Sequence, residues 1–196
     1  MVFIVIDGLD ASGKSTQAIN LCDFLKKRGK TVYLRSHPSE DNFFGEQAKQ
    51  FLYLKGKGAH FASALFYLLD VIRSLLVCPW RTYDYVIFVR YLMGTAYLPA
   101  PLDKITYHFF SLTVPTSNLM FFLDISPEEA HRRIQASRER QERFESLEEL
   151  REVRDKALYL ALIGRWIIID ANKPVDSVEV DIKLSLIHIS EPRRPY

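Results

Sequence analysis

Between Gly8 and Thr16 the chain reads Gly-Leu-Asp-Ala-Ser-Gly-Lys-Ser-Thr: two glycines five residues apart, then a lysine and two hydroxyls. Glycine adopts backbone angles closed to other residues, so such a stretch can curl until successive N–H groups face one centre. A ring of N–H donors with an ammonium beside it suits an anion carrying several oxygens. An adjacent hydroxyl suits a hard cation bound to that same anion. The G-x-x-x-x-G-K-[ST] spacing is that of a phosphate-binding loop. Gly8, Asp10, Ala11, Ser12, Gly13, Lys14, Ser15 and Thr16 would form the cradle, with Lys14 on the outer phosphates and Ser15 as the metal ligand.

Such a loop works only at a strand-to-helix junction, and the flanking residues supply one. Val2-Phe3-Ile4-Val5-Ile6 is an apolar, β-branched run of the kind that forms a buried parallel strand. Ala18, Leu21, Cys22 and Leu25 recur at helical spacing, and Gly29 stands where that helix would end. Four more strands are expected, over Thr31–Arg35, Tyr85–Val89, Leu119–Asp124 and Trp166–Asp170. Helices are expected between them. One presents Phe44, Ala48, Phe51 and Leu52, and a longer apolar one runs from Phe61 to Val77. Lys55-Gly56-Lys57-Gly58 reads as a turn, and Tyr107 to Leu112 as a short helix. Ser126-Pro127-Glu128-Glu129 announces a further helix, with a serine cap, proline first and glutamate third. Another carries Leu147, Leu150, Ala157, Leu158 and Ala161, and Pro174 opens the last. Alternation of this kind predicts an α/β fold: a five-stranded parallel sheet with helices on both faces.

A chain of 196 residues is expected to form one domain. Its net charge of +2 makes no case for nucleic acid or an anionic membrane as partner. The longest apolar stretch, 62–77, is interrupted by Asp70, Arg73 and Ser74. Two cysteines, Cys22 and Cys78, lack metal-ligand spacing and suit a reducing compartment, and Met1 leads straight into a strand with no signal-peptide pattern. A cytoplasmic protein is expected. The domain should span 1–183. From Leu184 to Tyr196 the sequence drops the helical pattern and ends in two prolines, and it resembles the translation of a sequencing-library adapter, a non-native or disordered tail.

Several stretches together resemble the thymidylate kinase family: Gly8–Thr16, Arg35 with Pro38, Arg90-Tyr91, Leu123-Asp124-x-x-Pro127, Glu142-Arg143-Phe144-Glu145 and Ile169-Asp170-Ala171. They occur in the family's order over residues 1–183. The resemblance implies phosphoryl transfer from ATP to dTMP with Mg²⁺, on a five-stranded parallel sheet with a lid at about 137–146, as a homodimer. It implies that Arg90 and Tyr91 meet the acceptor nucleotide, Arg90 on its phosphate, and that Asp10 holds the 3′-hydroxyl of the sugar. Arg35 and Pro38 would line the acceptor pocket, Phe66 would stack on the base, and Tyr97 would crowd the sugar 2′ position. Ala11 stands where one subclass has a catalytic arginine, so the resemblance shifts that charge to the lid, to Arg143 first and Arg138 or Arg140 next.

Two positions depart from the family pattern. Val89 stands where an aspartate usually precedes the arginine, which leaves the metal to Ser15, with Asp124 either helping or only orienting the turn that follows it. Asp70 replaces the arginine one turn beyond the stacking aromatic, leaving Arg73 as the nearest guanidinium. A P-loop kinase for another nucleotide, a deoxynucleoside or a small acceptor therefore stays open on the sequence. So does an ATP-binding regulator without turnover.

Overall fold

A computed structural model describes residues 1–52, 54, 57–137 and 146–190 of the chain. Strands β1 (Val2–Gly8), β2 (Val32–Ser36), β3 (Tyr85–Val89), β4 (Met120–Asp124) and β5 (Ile167–Asp170) form one sheet in the order β2-β3-β1-β4-β5, every neighbouring pair parallel. The β-branched runs read as buried strands are buried. Ile4, Val5, Ile6, Val86, Ile87, Phe88, Val89, Phe121, Phe122 and Leu123 form the middle of the core, whereas β5 at the edge alternates between burial and exposure.

The helices are α1 (Lys14–Lys26), α2 (Phe43–Leu52), α3 (Lys57–Val77), α4 (Leu102–Thr113), α5 (Pro127–Ser137), α6 (Leu147–Ile163) and α7 (Val175–Ser190). A short 3-10 helix covers Met93–Tyr97. The connection from β1 to β2 runs towards one edge of the sheet and that from β3 to β4 towards the other. Right-handed crossovers of opposite sense put their helices on opposite faces. Thus α1, with α7 against it, covers one face, and α4 to α6 cover the other. Neighbouring strands with diverging connections also leave a crevice beyond their C-terminal ends, where ligands of open α/β sheets bind. Here that crevice lies beyond β1 and β3.

Capping chemistry sets two helix starts. Ser126 accepts the Glu129 N–H at 3.4 Å ahead of Pro127, as the sequence predicted. Ser146 caps α6, its hydroxyl accepting the Glu149 N–H at 3.3 Å and donating to the Glu149 carboxylate at 2.8 Å. Three boundaries differ from expectation. α3 already includes Lys57 and Gly58, α4 begins at Leu102, and α7 does not lapse after Lys183. Val178, Ile182 and Leu186 are buried at one-turn spacing, so the helical rhythm continues past Lys183 to Leu186, and the helix runs to Ser190. The remaining tail residues, 191–196, and the lid run 138–145 lie outside the described residues.

Candidate active site

β1 ends in the phosphate loop. Gly8, Ala11 and Gly13 have positive φ angles of 149°, 60° and 89°, the curl that turns successive N–H groups inward. Gly13 then caps α1, whose first turn adds its positive end. Tight packing explains the glycine at 8: a Cβ there would meet the Leu123 carbonyl oxygen at 2.5 Å. Ala11 holds its left-handed angle without glycine's freedom, at a cost of about 1 kcal/mol. The buried Lys14 ammonium stays inside the loop, donating to the Gly8 carbonyl at 2.9 Å and to that of Leu9. The Ser12 hydroxyl is buried with no partner among the described residues, an orphaned donor within the cradle that a phosphate oxygen fits. Ser15 and Thr16 are exposed at the helix start.

β3 ends next to this loop, in register with β1, and Arg90 follows it. Its guanidinium donates to Asp10 at 2.8 Å, and Lys14 lies 3.8 Å from that same Asp10 oxygen. The two cations predicted for the two sides of the reaction therefore flank one carboxylate. Burial works against the Arg90 charge, but Asp10 more than offsets it and holds the guanidinium firmly protonated. The Tyr97 hydroxyl donates to the other Asp10 oxygen at 3.3 Å.

A cavity of about 860 Å³ opens beside Arg90. Its wall includes Asp10, Arg35, Pro38, Arg90 and Tyr97, all anticipated as acceptor-side residues. Three other residues expected on the acceptor side lie off this wall. Phe66 is not on the wall. It stacks on Phe51 at 5.5 Å and meets Phe43 edge-on, packing α2 against α3, and its neighbour Tyr67 faces the cavity instead. Tyr91 is fully buried, its ring against Phe3 and Phe88 and its hydroxyl on the Pro115 carbonyl, so it is a core residue. Arg73 also lies off the wall, 3.9 Å from Asp41. Arg138, Arg140 and Arg143 fall outside the described residues.

Asp70 lies off the cavity wall as well. Fully buried, it accepts from the Ser39 N–H at 2.7 Å, the Ser39 hydroxyl at 2.5 Å and Asn42 at 2.7 Å, and so anchors the loop after β2. Arg35 braces the same loop through two bonds to Asp41 and one each to Ser39 and Ser74. Its guanidinium holds the Asp41 carboxyl well below the usual carboxylate range.

Asp124 is committed to a two-pronged pair with Arg154 at 2.7 and 2.8 Å. Val89 is buried in the core, and among the described residues no group of three His, Cys, Asp or Glu could hold a metal. A donor set of one exposed hydroxyl, Ser15, beside a phosphate cradle still fits magnesium, which keeps most of its waters and takes few protein ligands.

Four residues of the site were not anticipated. Asp7, at the end of β1, accepts the N–H groups of Gly8, Tyr91 and Met93 at 2.9, 2.7 and 3.1 Å and so ties the phosphate loop to the chain beyond Arg90. Burial pushes its carboxyl above the usual range, against the pull of those bonds. Arg133 on α5 spans from the Ala11 carbonyl at 3.3 Å to the Ala171 carbonyl at 3.1 Å. Tyr67 and His37 line the cavity. The available signals were weak ones: an acid closing an apolar strand, a histidine before a proline, and an arginine one turn after Glu129.

Two anion-binding groups across one crevice of a parallel sheet are what a P-loop phosphotransferase needs, and this fold and site define that class. Comparison with known proteins narrows it. The family model for thymidylate kinase matches residues 6–182. A probable thymidylate kinase of Pyrobaculum calidifontis is 31% identical over 188 residues, covering 92% of this chain and 93% of that protein. A thymidylate kinase of Leifsonia xyli is 30% identical over 201 residues, covering 94% of each. The solved thymidylate kinase of Candida albicans superposes with a TM-score of 0.74 over 96% of this chain and 92% of its own, at 21% identity, and so shares the fold. The chain belongs to the thymidylate kinase family. It is accordingly an ATP-dependent phosphotransferase with nucleotide substrates.

Proposed function

We propose that this kinase transfers the γ-phosphoryl group of ATP to dTMP, giving dTDP. The observation that supports this most is that Lys14 and Arg90 reach one Asp10 oxygen from two sides, at 3.8 and 2.8 Å. Phosphoryl transfer leaves the protein little covalent work. It needs donor and acceptor held in line and charge stabilised as it develops. The loop N–H groups, Ser12 and Lys14 hold the donor phosphates. Arg90, a planar fork suited to phosphate, holds the acceptor phosphate. Asp10 is placed to take the 3′-hydroxyl of the acceptor sugar, Tyr97 closes the sugar side, and Tyr67, Pro38 and Arg35 wall the base. Ser15 would hold magnesium, which when bound neutralises phosphate charge. The transition-state cation is assigned to the lid, to Arg143, Arg138 or Arg140, since Ala11 brings none.

Homodimerisation accords with two exposed apolar stripes: Phe61, Leu65, Ile72 and Leu76 on α3, and Ile105, Phe109 and Leu112 on α4. A cytoplasmic location accords with two unpaired cysteines. The test of the reaction is ADP release measured across dTMP, dUMP, dCMP, dGMP and thymidine. dTMP should be the best acceptor and thymidine a poor one, because Arg90 has no phosphate to hold on a nucleoside. Equal turnover of thymidine overturns the assignment.

A further inference from the structure

We infer that His37 is a positioning residue for Arg90, fixing the arginine on the acceptor side through a hydrogen bond to its carbonyl oxygen. The inference rests on the reading of Arg90 as the acceptor-phosphate ligand.

Arg90 has φ 61°, a left-handed angle that only glycine takes freely. A strained residue of this kind persists only where its surroundings over-determine it. Those surroundings can be named. The Arg90 N–H donates to the Ile6 carbonyl at 3.1 Å, and the His37 Nδ1 sits 2.9 Å from the Arg90 carbonyl oxygen. On the next residue, Asp7 takes the Tyr91 N–H at 2.7 Å and the Tyr67 hydroxyl donates to the Tyr91 carbonyl at 3.0 Å. Asp10 holds the Arg90 guanidinium at 2.8 Å, and among these side chains His37 is the one that bonds the Arg90 backbone.

His37 is held in turn. Its N–H donates to the Val89 carbonyl at 3.0 Å, and its ring stands edge-on to Phe88 and Tyr67 at 5.1 and 6.5 Å. The residue is 1% exposed. A carbonyl only accepts, so Nδ1 carries the proton and Nε2 is a bare acceptor. That Nε2 is buried with no partner among the described residues, a desolvated nitrogen that costs stability. A phenyl ring would fill the same space without that cost. What a phenyl ring lacks is a donor for the Arg90 carbonyl. Burial also pushes the imidazole pKa down, which keeps the ring neutral and the Nδ1–H in place.

A double-mutant cycle on steady-state kinetics tests the role. His37→Leu should raise the dTMP KM about tenfold, the scale of a lost bond that positions a charged ligand, with the ATP KM within twofold of wild type. His37→Asn, whose amide N–H can reach the same carbonyl, should recover most of the loss. In an Arg90→Ala background His37→Leu should add nothing, because a positioning residue has nothing left to position. An undiminished His37→Leu effect in that background, or equal losses for ATP and dTMP, overturns the role and leaves the Arg90 reading intact. A dTMP KM unmoved by Arg90→Ala overturns the Arg90 reading itself. Should His37→Leu fail to fold, the ring ¹⁵N shifts of the wild-type protein decide: a protonated Nδ1 supports the role and an Nε2–H tautomer overturns it.

Discussion

The two sides of the crevice are built in different ways. The donor side is one stretch of chain, residues 8 to 16, whose glycines set the backbone and whose lysine and serine follow within two positions. The proposed acceptor side is assembled from Asp10 of that loop, the end of β2 and the loop after it, α2, α3 and the chain beyond β3, with its wall drawn from Asp10, Arg35, Tyr67, Arg90 and Tyr97. A local motif needs only short-range backbone geometry, so it can be cut off from the rest and still be recognised. An assembled pocket depends on helix rotation and on which charges are used up by neighbours. Such a pocket can change its ligand through distant residues, whereas a local loop changes little without losing phosphate altogether.

That contrast predicts effects of unequal size. The largest is expected on the donor side: Lys14→Ala should lower kcat by about 10³ while leaving the dTMP KM within a few-fold, measured by ADP release at saturating ATP. Next comes a paired test of the acceptor wall. Tyr67→Ala should raise the dTMP KM roughly tenfold, whereas Phe66→Ala should lower the melting temperature and leave the dTMP KM close to wild type. A KM effect confined to Phe66 would reverse the placement of the two rings.

A smaller effect concerns the loop itself. Ala11→Gly should stabilise the protein by about 0.5–1 kcal/mol in urea unfolding, because glycine takes the 60° φ angle without strain. The smallest is a pH effect. Burial lowers the His37 pKa, against the nearby Asp70 charge and with that of Arg35. The unfolded chain therefore takes up this proton first, and stability should fall as pH drops through about 6.5 towards the lower folded value. His37→Phe should flatten that limb of the stability curve.

The same contrast decides what could be read before the structure. β3 matches its expected span residue for residue, and the Ser126–Pro127 cap forms as predicted, since both depend on neighbouring residues. Phe66 is expected at the base through the family resemblance alone, and α3 is apolar along most of its length, so its sequence has no polar face to reveal its rotation. Tyr91 follows an arginine at a ligand edge, yet its ring turns into the core beside Phe3. Asp70 stands where the family resemblance expects an arginine, and no local pattern shows that Ser39 and Asn42 take up its carboxylate. Asp7 and His37 act through backbone atoms of the chain beyond β3, and no spacing rule links residues 7, 37 and 90.

The proposed reaction depends on one crevice holding two phosphates that face each other, one on the curled loop with Lys14 and one on Arg90. Its most direct test is the binding of adenosine and thymidine joined through their 5′ positions by five phosphates, followed by calorimetry and by competition against each substrate. One molecule should bind per chain, displacing both ATP and dTMP, with a loss of affinity of about 10²-fold in both Lys14→Ala and Arg90→Ala. Competition with ATP alone, with affinity unchanged in Arg90→Ala, would contradict it.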